Sequence, residues 1–266
     1  MLFQKADMSW KHRWRLGGAA LSAVMIGVIP VAHAGFSAQT VTSMTVRTAV
    51  ACERDGQPYD PWSAHLSSLD VAMRWDFGTG EGRVDGLIDD PWRVGPAAHG
   101  FGEATLGDTT LECGSPRSLR LPGGWGASGA RSETVLLPGT FTALLWVKVN
   151  AAGHLASLRG ASDRMDVVVE VPRSLVATTS GESIPVGELT SGTHLLAVTV
   201  DDGRTTVSID GQQTTGPVWH GAGPVTVVIG DDSDRQIADA QVSRVAIVHG
   251  ALDQVELDAA FHANHW

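Results

Sequence analysis

The chain has 266 residues, and several residue types that mark common protein classes are scarce in it. It holds two cysteines, one tyrosine and, beyond residue 34, a single lysine, Lys148. Two cysteines allow at most one disulfide, and neither carries a local signature of a thiolate nucleophile. A phosphate loop with its lysine is absent, which excludes that class of nucleotide binding. No Gly-x-Ser-x-Gly elbow, His-Glu-x-x-His pair or EF-hand spacing occurs, so the usual serine hydrolase, zinc protease and EF-hand calcium readings fall away. Basic charge is also in deficit. The formal net charge is −10, and an acidic surface repels phosphate backbones and anionic lipid, so no nucleic-acid partner is expected.

Against these absences stands a distinctive amino terminus. Lys5, Lys11, Arg13 and Arg15 precede an apolar run from Leu16 to Val31. At roughly 16 residues that run is short of the ~20 that cross a bilayer, and Gly17, Gly18, Gly27 and Pro30 weaken it as a helix. Ala32-His33-Ala34 follows as an A-x-A cleavage pattern. Residues 1–34 are therefore read as a signal peptide, cut between Ala34 and Gly35. Removing it leaves 15 basic and 28 acidic residues, a net charge of −13. No second apolar span, lipidation cysteine or sorting signal follows, which predicts a secreted or cell-surface protein with no stable membrane span after signal removal. Arginine in place of lysine, with abundant Ala, Gly and Val, resembles a high-GC bacterial composition. Cys52 and Cys113 both lie in the exported part, where the oxidising setting favours a disulfide between them. That bridge would close a loop of about 60 residues and stabilise by roughly 4 kcal/mol in the chain-entropy model.

Period-two patterning dominates the rest. Met44, Val46, Thr48 and Val50 give a first strand, and a loop rich in Gly, Pro and Asp runs to about Ser68. Leu69, Val71, Met73, Trp75 and Phe77 alternate with Asp70, Ala72, Arg74 and Asp76, one face core and the other wet or paired. After a Gly- and Pro-rich stretch over 78–116, strand-like segments recur at 118–121, 141–149, 154–158, 165–171, 194–200, 205–210, 225–229 and 240–248. Asp201-Asp202-Gly203 and Asp210-Gly211 supply hairpin turns. Nine or more short strands at turn-punctuated spacing predict an all-β sandwich or barrel. One short C-terminal helix is expected, with Asp253 as cap, Glu256 reaching back, and Leu252 stapled to Leu257. Trp75 and Trp146 are placed in the core.

Five segments in order carry a family resemblance: Met73-Arg74-Trp75-Asp76-Phe77; Ser118-Leu119-Arg120-Leu121-Pro122-Gly123; Phe141 to Lys148; Leu195 to Gly211; and the last strand with Ala251-Leu252-Asp253. Over about Leu69 to Phe261 the chain resembles the laminin-G-like domains of the concanavalin A-like lectin and glucanase superfamily found in bacterial secreted proteins. The resemblance implies a two-sheet antiparallel jelly-roll sandwich spanning 69–266, with 35–68 as an N-terminal strand and loop leading into it. Where the family often has a tryptophan and paired histidines, this chain has Thr193-His194-Leu195, and that strand is read as framework.

Catalytic residues are not predicted. The Glu-x-Asp-x-x-Glu string usual in glucanases of this superfamily is missing, and Asp166 and Glu170 on one strand stand roughly 13 Å apart, too far for glycosidase chemistry. Carboxylates on different strands could still converge, which keeps a polysaccharide hydrolase or lyase open. The histidines at 262 and 265 are read as an unliganded pair at a helix end. Calcium is a possible ligand at Asp231, Asp232 and Asp234, with Asp89-Asp90 as a second acidic group, although a solvated loop accounts for both. Trp62, Trp92, Trp125 and Trp219 are expected in loops, where an indole can stack on a sugar ring. Trp125 is favoured because Gly123, Gly124 and Gly126 leave it without covering side chains. A non-catalytic binding module for a glycan, lectin-like, is the leading reading; a structural or adhesive module binding a surface protein is the alternative.

Overall fold

The computed structural model describes residues 53–54, 57–58, 60–77, 82–107, 111, 117–171, 173–179, 182–221 and 223–264. The signal segment, its cleavage point at Ala34 and Gly35, the strand expected over 44–50, and both Cys52 and Cys113 lie outside the described residues. Contacts divide the chain into two units, residues 1–47 with 53–58, and residues 48–52 with 59–266. The described part of the first is an antiparallel pair, β1 (Glu53–Arg54) and β2 (Gln57–Pro58).

The second unit is an all-β sandwich with two helices. In its first sheet the order is β18 (Gln212–Thr215), β17 (Arg204–Ile209), β16 (Thr193–Asp201), β11 (Thr140–Ala151) and β20 (Gln236–His249). The far edge of β20 is shared by β3 (Val71–Trp75) and β8 (Ser118–Trp125), followed by β7 (Thr105–Gly107) and β4 (Gly82–Arg83). The second sheet runs β15 (Glu182–Glu188), β14 (Ser174–Thr179), β13 (Arg164–Glu170), β12 (Gly153–Arg159) and β19 (Gly223–Asp231). Along β19 lie β9 (Ser128–Ser132) and β10 (Val135–Leu137), and β6 (Ala98–Phe101) with β5 (Gly86–Leu87) continue from β9. A parallel bridge from His154 to Ile237 joins the two runs. Each of the other ladders is antiparallel.

Four of these strands, β4 to β7, lie in the stretch 78–116 that reads as irregular. Their pairing is tertiary, and two- to four-residue strands leave no periodic trace. The expected loop before Ser68 also differs, since α1 (Pro61–Leu66) occupies it. Its start is nonetheless written in the chain: Asp60 is an N-cap accepting from the Ser63 amide at 3.2 Å, and Pro61 takes the first helical turn.

The core lies between the sheets. Met73, Trp75, Phe141, Leu145, Val147, Leu196, Val245 and Ile247 from one meet Met165, Val167, Val169, Leu175, Val227 and Ile229 from the other. About 50 Å³ of apolar space remains between them, lined by Leu145, Leu158, Met165, Leu196 and Val227 among others.

The outer faces of the two sheets differ, and the strand sequences say why. In β11, β16 and β20 apolar residues run almost without a break, because both faces are covered. Leu144, Trp146, Leu195, Ala197, Ala246 and Val248 point away from the central core into a second cluster with Trp62 and Leu66 of α1 and Leu257 and Ala260 of α2 (Gln254–Asn264). Trp146 and Trp62 meet edge to face at 6.5 Å. A bulge between Ile247 and Val248 moves Val71 to this second cluster while Met73 and Trp75 stay in the first. The single apolar face predicted for 69–77 is thus split between two cores. The α2 cap matches the expected capping box, for the Glu256 amide donates to Asp253 Oδ1 and the Asp253 amide to Glu256 Oε2, each at 2.9 Å.

In the second sheet β13 alternates strictly: Met165, Val167 and Val169 face inward, and Arg164, Asp166 and Val168 face out. Among the described residues neither helix covers that outer face. It is the face on which the charged side chains converge.

Candidate functional site

The charged side chains meet at one end of the second sheet. The guanidinium of Arg164 on β13 donates to Asp166 Oδ1 at 2.8 Å and to Asp231 Oδ2 at 3.1 Å. Arg235, in the turn between β19 and β20, donates to Asp166 Oδ2 at 3.2 Å and to Asp231 Oδ2. Asp231 also accepts the Ser233 amide at 2.7 Å and is fully buried. Arg159 at the end of β12 donates through Nε to Ser157 at 3.1 Å and through Nη1 to Asp232 at 2.5 Å. Its Nη2 is buried without a hydrogen bond, 4.0 Å from Asp231 Oδ2, and His154 Nδ1 is likewise unpartnered at 3.8 Å from the same oxygen. On β9, Arg131 stands 58% exposed, with its ion pair to Asp232 at 3.9 Å.

Backbone geometry builds this cluster. Gly129 lies at φ +147° and Gly230 at φ +83°, where β9 and β19 approach so closely that a Cβ on Gly129 would fall 1.9 Å from the Ile229 carbonyl oxygen. Only glycine fits there. Gly230 also breaks the strand alternation, so Asp231 points toward the arginines although Ile229 faces the core.

Trp125 belongs to the same place. It ends β8 opposite Gln236, the Gly126 amide donates to the Arg235 carbonyl at 3.3 Å, and Ser128 pairs with Asp231. Its indole is 77% exposed. An exposed tryptophan is therefore paired, along the backbone, with the residue next to Arg235. The chain had suggested a loop for Trp125; it stands instead on the last residue of a strand.

The other tryptophan candidates are not brought here. Trp62 is 0% exposed within α1, and Trp219 is 2% exposed with its Nε1 donating to the Gly221 carbonyl at 2.5 Å. Both indoles are covered, which corrects their placement as sugar platforms: the cap at Asp60 and the apolar layer over β11 bury one, and the close Gly221 backbone holds the other. Trp92 is exposed, but its segment bonds to β3 of the first sheet through Val94 and Arg74.

The acidic loop reads differently as well. His154, Asp166 and Asp231 have oxygen or nitrogen atoms within 4.8 Å of one another, but Arg164 and Arg235 lie between both carboxylates. A cation there would have to displace two guanidinium groups. Asp232 is taken by Arg159, and Asp234 is exposed. These residues do not fit a calcium site. Carboxylates from different strands do converge, as the chain left open, but the gap where a scissile bond would lie is filled by arginine.

Two further polar groups bear on chemistry. Arg244, 1% exposed on β20, donates to both oxygens of Asp60 at 2.8 and 3.1 Å and lies 3.3 Å from Asp76. Burial would raise Asp60, yet the Arg244 charge and hydrogen bonds outweigh it and hold the carboxyl below its usual range. Burial wins at Asp76 and pushes it up, with Arg244 and Arg74 offsetting only part. A raised carboxyl is what a general acid needs, but Asp76 is 1% exposed and its Oδ2 is held by Arg74. The second group is Thr190, His194 and Asp210: Nε2 of His194 is 3.0 Å from the Thr190 hydroxyl and Nδ1 is 2.6 Å from Asp210. The spacing is that of a nucleophile, base and acid, but Nε2 already accepts the Thr190 amide at 3.1 Å, and the Leu195 amide donates to Asp210 at 2.8 Å. Its base lone pair is engaged, and the group braces the turn into β16.

The signal for the arginine cluster lay in the β13 alternation, which sets Arg164 and Asp166 on the face opposite Met165 and Val167. Arg131, Arg159 and Arg235 join it only through strand pairing and a turn.

Comparison with known proteins bears on the fold. No protein-family model matches the chain, and no curated protein matches it in sequence. Among solved structures it is similar to a Trypanosoma rangeli sialidase in complex with the inhibitor DANA, with a TM-score of 0.54 at 14% identity over 76% of this chain and 37% of that one. It is similar to domain 4 of AbnA, a GH43 extracellular arabinanase from Geobacillus stearothermophilus in complex with arabinotriose, at TM-score 0.50 and 14% identity over 72% of this chain and 98% of that one. A botulinum neurotoxin type C structure, from a study of its interaction with two ganglioside molecules, matches at TM-score 0.52 and 12% identity, 76% and 52% covered. The chain thus spans about a third of the sialidase and half of the toxin chain. At these identities the likeness is one of fold, a β-rich architecture in proteins that handle sugars.

Proposed function

We propose that the chain is a secreted or cell-surface, non-catalytic module of laminin-G-like type that binds carbohydrate on the outer face of its second sheet. One observation carries this reading: Trp125 is 77% exposed, and its backbone pairs with Gln236 and, through Gly126, with Arg235, whose side chain joins the cluster of Arg159, Arg164, Asp166 and Asp231. A sugar ring needs an aromatic platform for its apolar face and a few fixed donors and acceptors for its hydroxyls. A hydroxyl can accept from Arg159 Nη2, which suits a site with an unpartnered guanidinium nitrogen next to Asp231. The sugar-related neighbours of the same fold support the class of ligand. The absence of catalysis is supported by the arginines that occupy the space between Asp166 and Asp231 and by the sealed position of Asp76.

A glycan array probed with the wild-type protein and with Trp125→Ala tests this. The reading expects binding to a subset of glycans that the variant loses. Unchanged binding by the variant places the site elsewhere, and an empty array with a folded protein contradicts the sugar reading and favours a protein-binding role. Release of reducing ends from a bound polysaccharide would contradict the non-catalytic part.

A further inference from the structure

The same site carries an inference about which sugars it takes. We propose that it selects glycans bearing a carboxylate, and this rests on the reading of the Trp125 face as the sugar site. The chain as a whole is acidic, at −10, yet the cluster inverts that sign. Arg131, Arg159, Arg164 and Arg235 face Asp166, Asp231 and Asp232, four guanidinium groups against three carboxylates. Asp234 is exposed at the rim.

What matters more is where bonding capacity is left over. The three carboxylates are consumed inside the cluster, and none is free to bind a cationic group. The unspent groups are guanidinium donors. Arg159 Nη2 makes no hydrogen bond. Arg131, more than half exposed, is 3.9 Å from its nearest carboxylate partner, beyond hydrogen-bond length. Buried donors left unmade cost free energy that a ligand acceptor recovers. A guanidinium presents a planar fork that fits a carboxylate with two bonds, roughly twice the strength of a bond to a neutral hydroxyl. Arg131 and Arg159 stand on β9 and β12 on either side of β19, with Val228 paired to Arg131 and to Ser157 beside Arg159. A carboxylate between them would leave its own sugar ring within the reach of a glycan lying toward Trp125. Asp231 does not oppose this strongly, because Arg164 and Arg235 already neutralise it.

The test uses glycans matched except for charge: oligouronates against their methyl esters, and sialylated against reduced, carboxyl-free analogues, measured by calorimetry at about 50 mM and about 500 mM salt. At least about tenfold tighter binding of the acid is expected at low salt, shrinking at high salt. Arg131→Gln lowers affinity for the acid by about tenfold more than for its neutral counterpart, and, being exposed, leaves the melting temperature unchanged. Arg204→Gln, an exposed arginine on β17 of the other sheet, changes neither. Equal binding of acid and ester, or a preference that survives Arg131→Gln, overturns the charge selection while leaving the sugar site standing. Binding of neither member overturns both.

Discussion

Replacing Asp60 by alanine isolates how the first helix is attached to the sandwich. Asp60 does two things: it caps α1 through the Ser63 amide, and it takes two bonds from Arg244, whose guanidinium is 1% exposed. Losing a cap costs about 1 kcal/mol. Stripping one partner from a buried ion pair costs about 3 to 5 kcal/mol, but Asp76 remains 3.3 Å from Arg244 Nε and Asp60 is itself about one-third exposed, so the lower part of that range applies. The sum is about 4 kcal/mol, or about 8 to 16 °C in Tm for a domain of this size. The pH dependence follows from sign. Asp60 is held below the ordinary aspartate value of about 3.9, so the unfolded chain binds more protons in that window, and the stabilisation is present above pH ~3.9 and lost as pH falls through the folded value. Urea unfolding of wild type and Asp60→Ala across pH 7 to 3 should show a constant gap down to about pH 4 and a narrowing one below. A gap under about 1 kcal/mol at pH 7, or one that persists unchanged at pH 3, refutes this account of Arg244.

Other outcomes follow from burial and pairing. Trp62→Ala should cost about 3 to 5 kcal/mol by emptying the layer between α1 and β11, whereas Trp125→Ala should stay within about 0.5 kcal/mol; thermal melts of the two variants check the contrast. Millimolar calcium or a chelator should leave Tm unchanged, because guanidinium groups hold Asp166, Asp231 and Asp232, and a shift of several degrees would show that a cation displaces them. Gly129→Ala should destabilise by about 3 kcal/mol or more in chemical denaturation, since its Cβ meets the Ile229 carbonyl.

Why some of this was legible in the sequence and some not is a matter of physical range. Strands that bury one or both faces advertise themselves, and β11, β13, β16 and β20 fall where the apolar pattern puts them. The capping box at Asp253 and Glu256 is local chemistry and reads directly. The cap at Asp60 and Pro61 was equally local but was overshadowed by the surrounding Gly, Pro and Asp. Strands β4 to β7 carry no period because neighbours far along the chain hold them. At the site, Trp125 and Asp231 were singled out separately, one as a platform and the other as a calcium ligand. Their adjacency depends on the β8 to β20 pairing, and the arginines that claim Asp231 come from β12, β13 and the turn at 235. A one-dimensional reading sees four acidic or polar residues at 231–234 and cannot see which cations face them. Tryptophans near glycine and proline look alike in sequence, and only packing separates buried Trp62 and Trp219 from exposed Trp125.

The central claim is a location, the outer face of the second sheet next to Trp125, and hydrogen exchange of the protein with and without a glycan selected from the array tests it most directly. The account predicts slowed exchange confined to 124–132, 153–166 and 228–236, with α1 and α2 unaffected. Protection centred on the helices, or on β3 and the segment around Trp92, would contradict it.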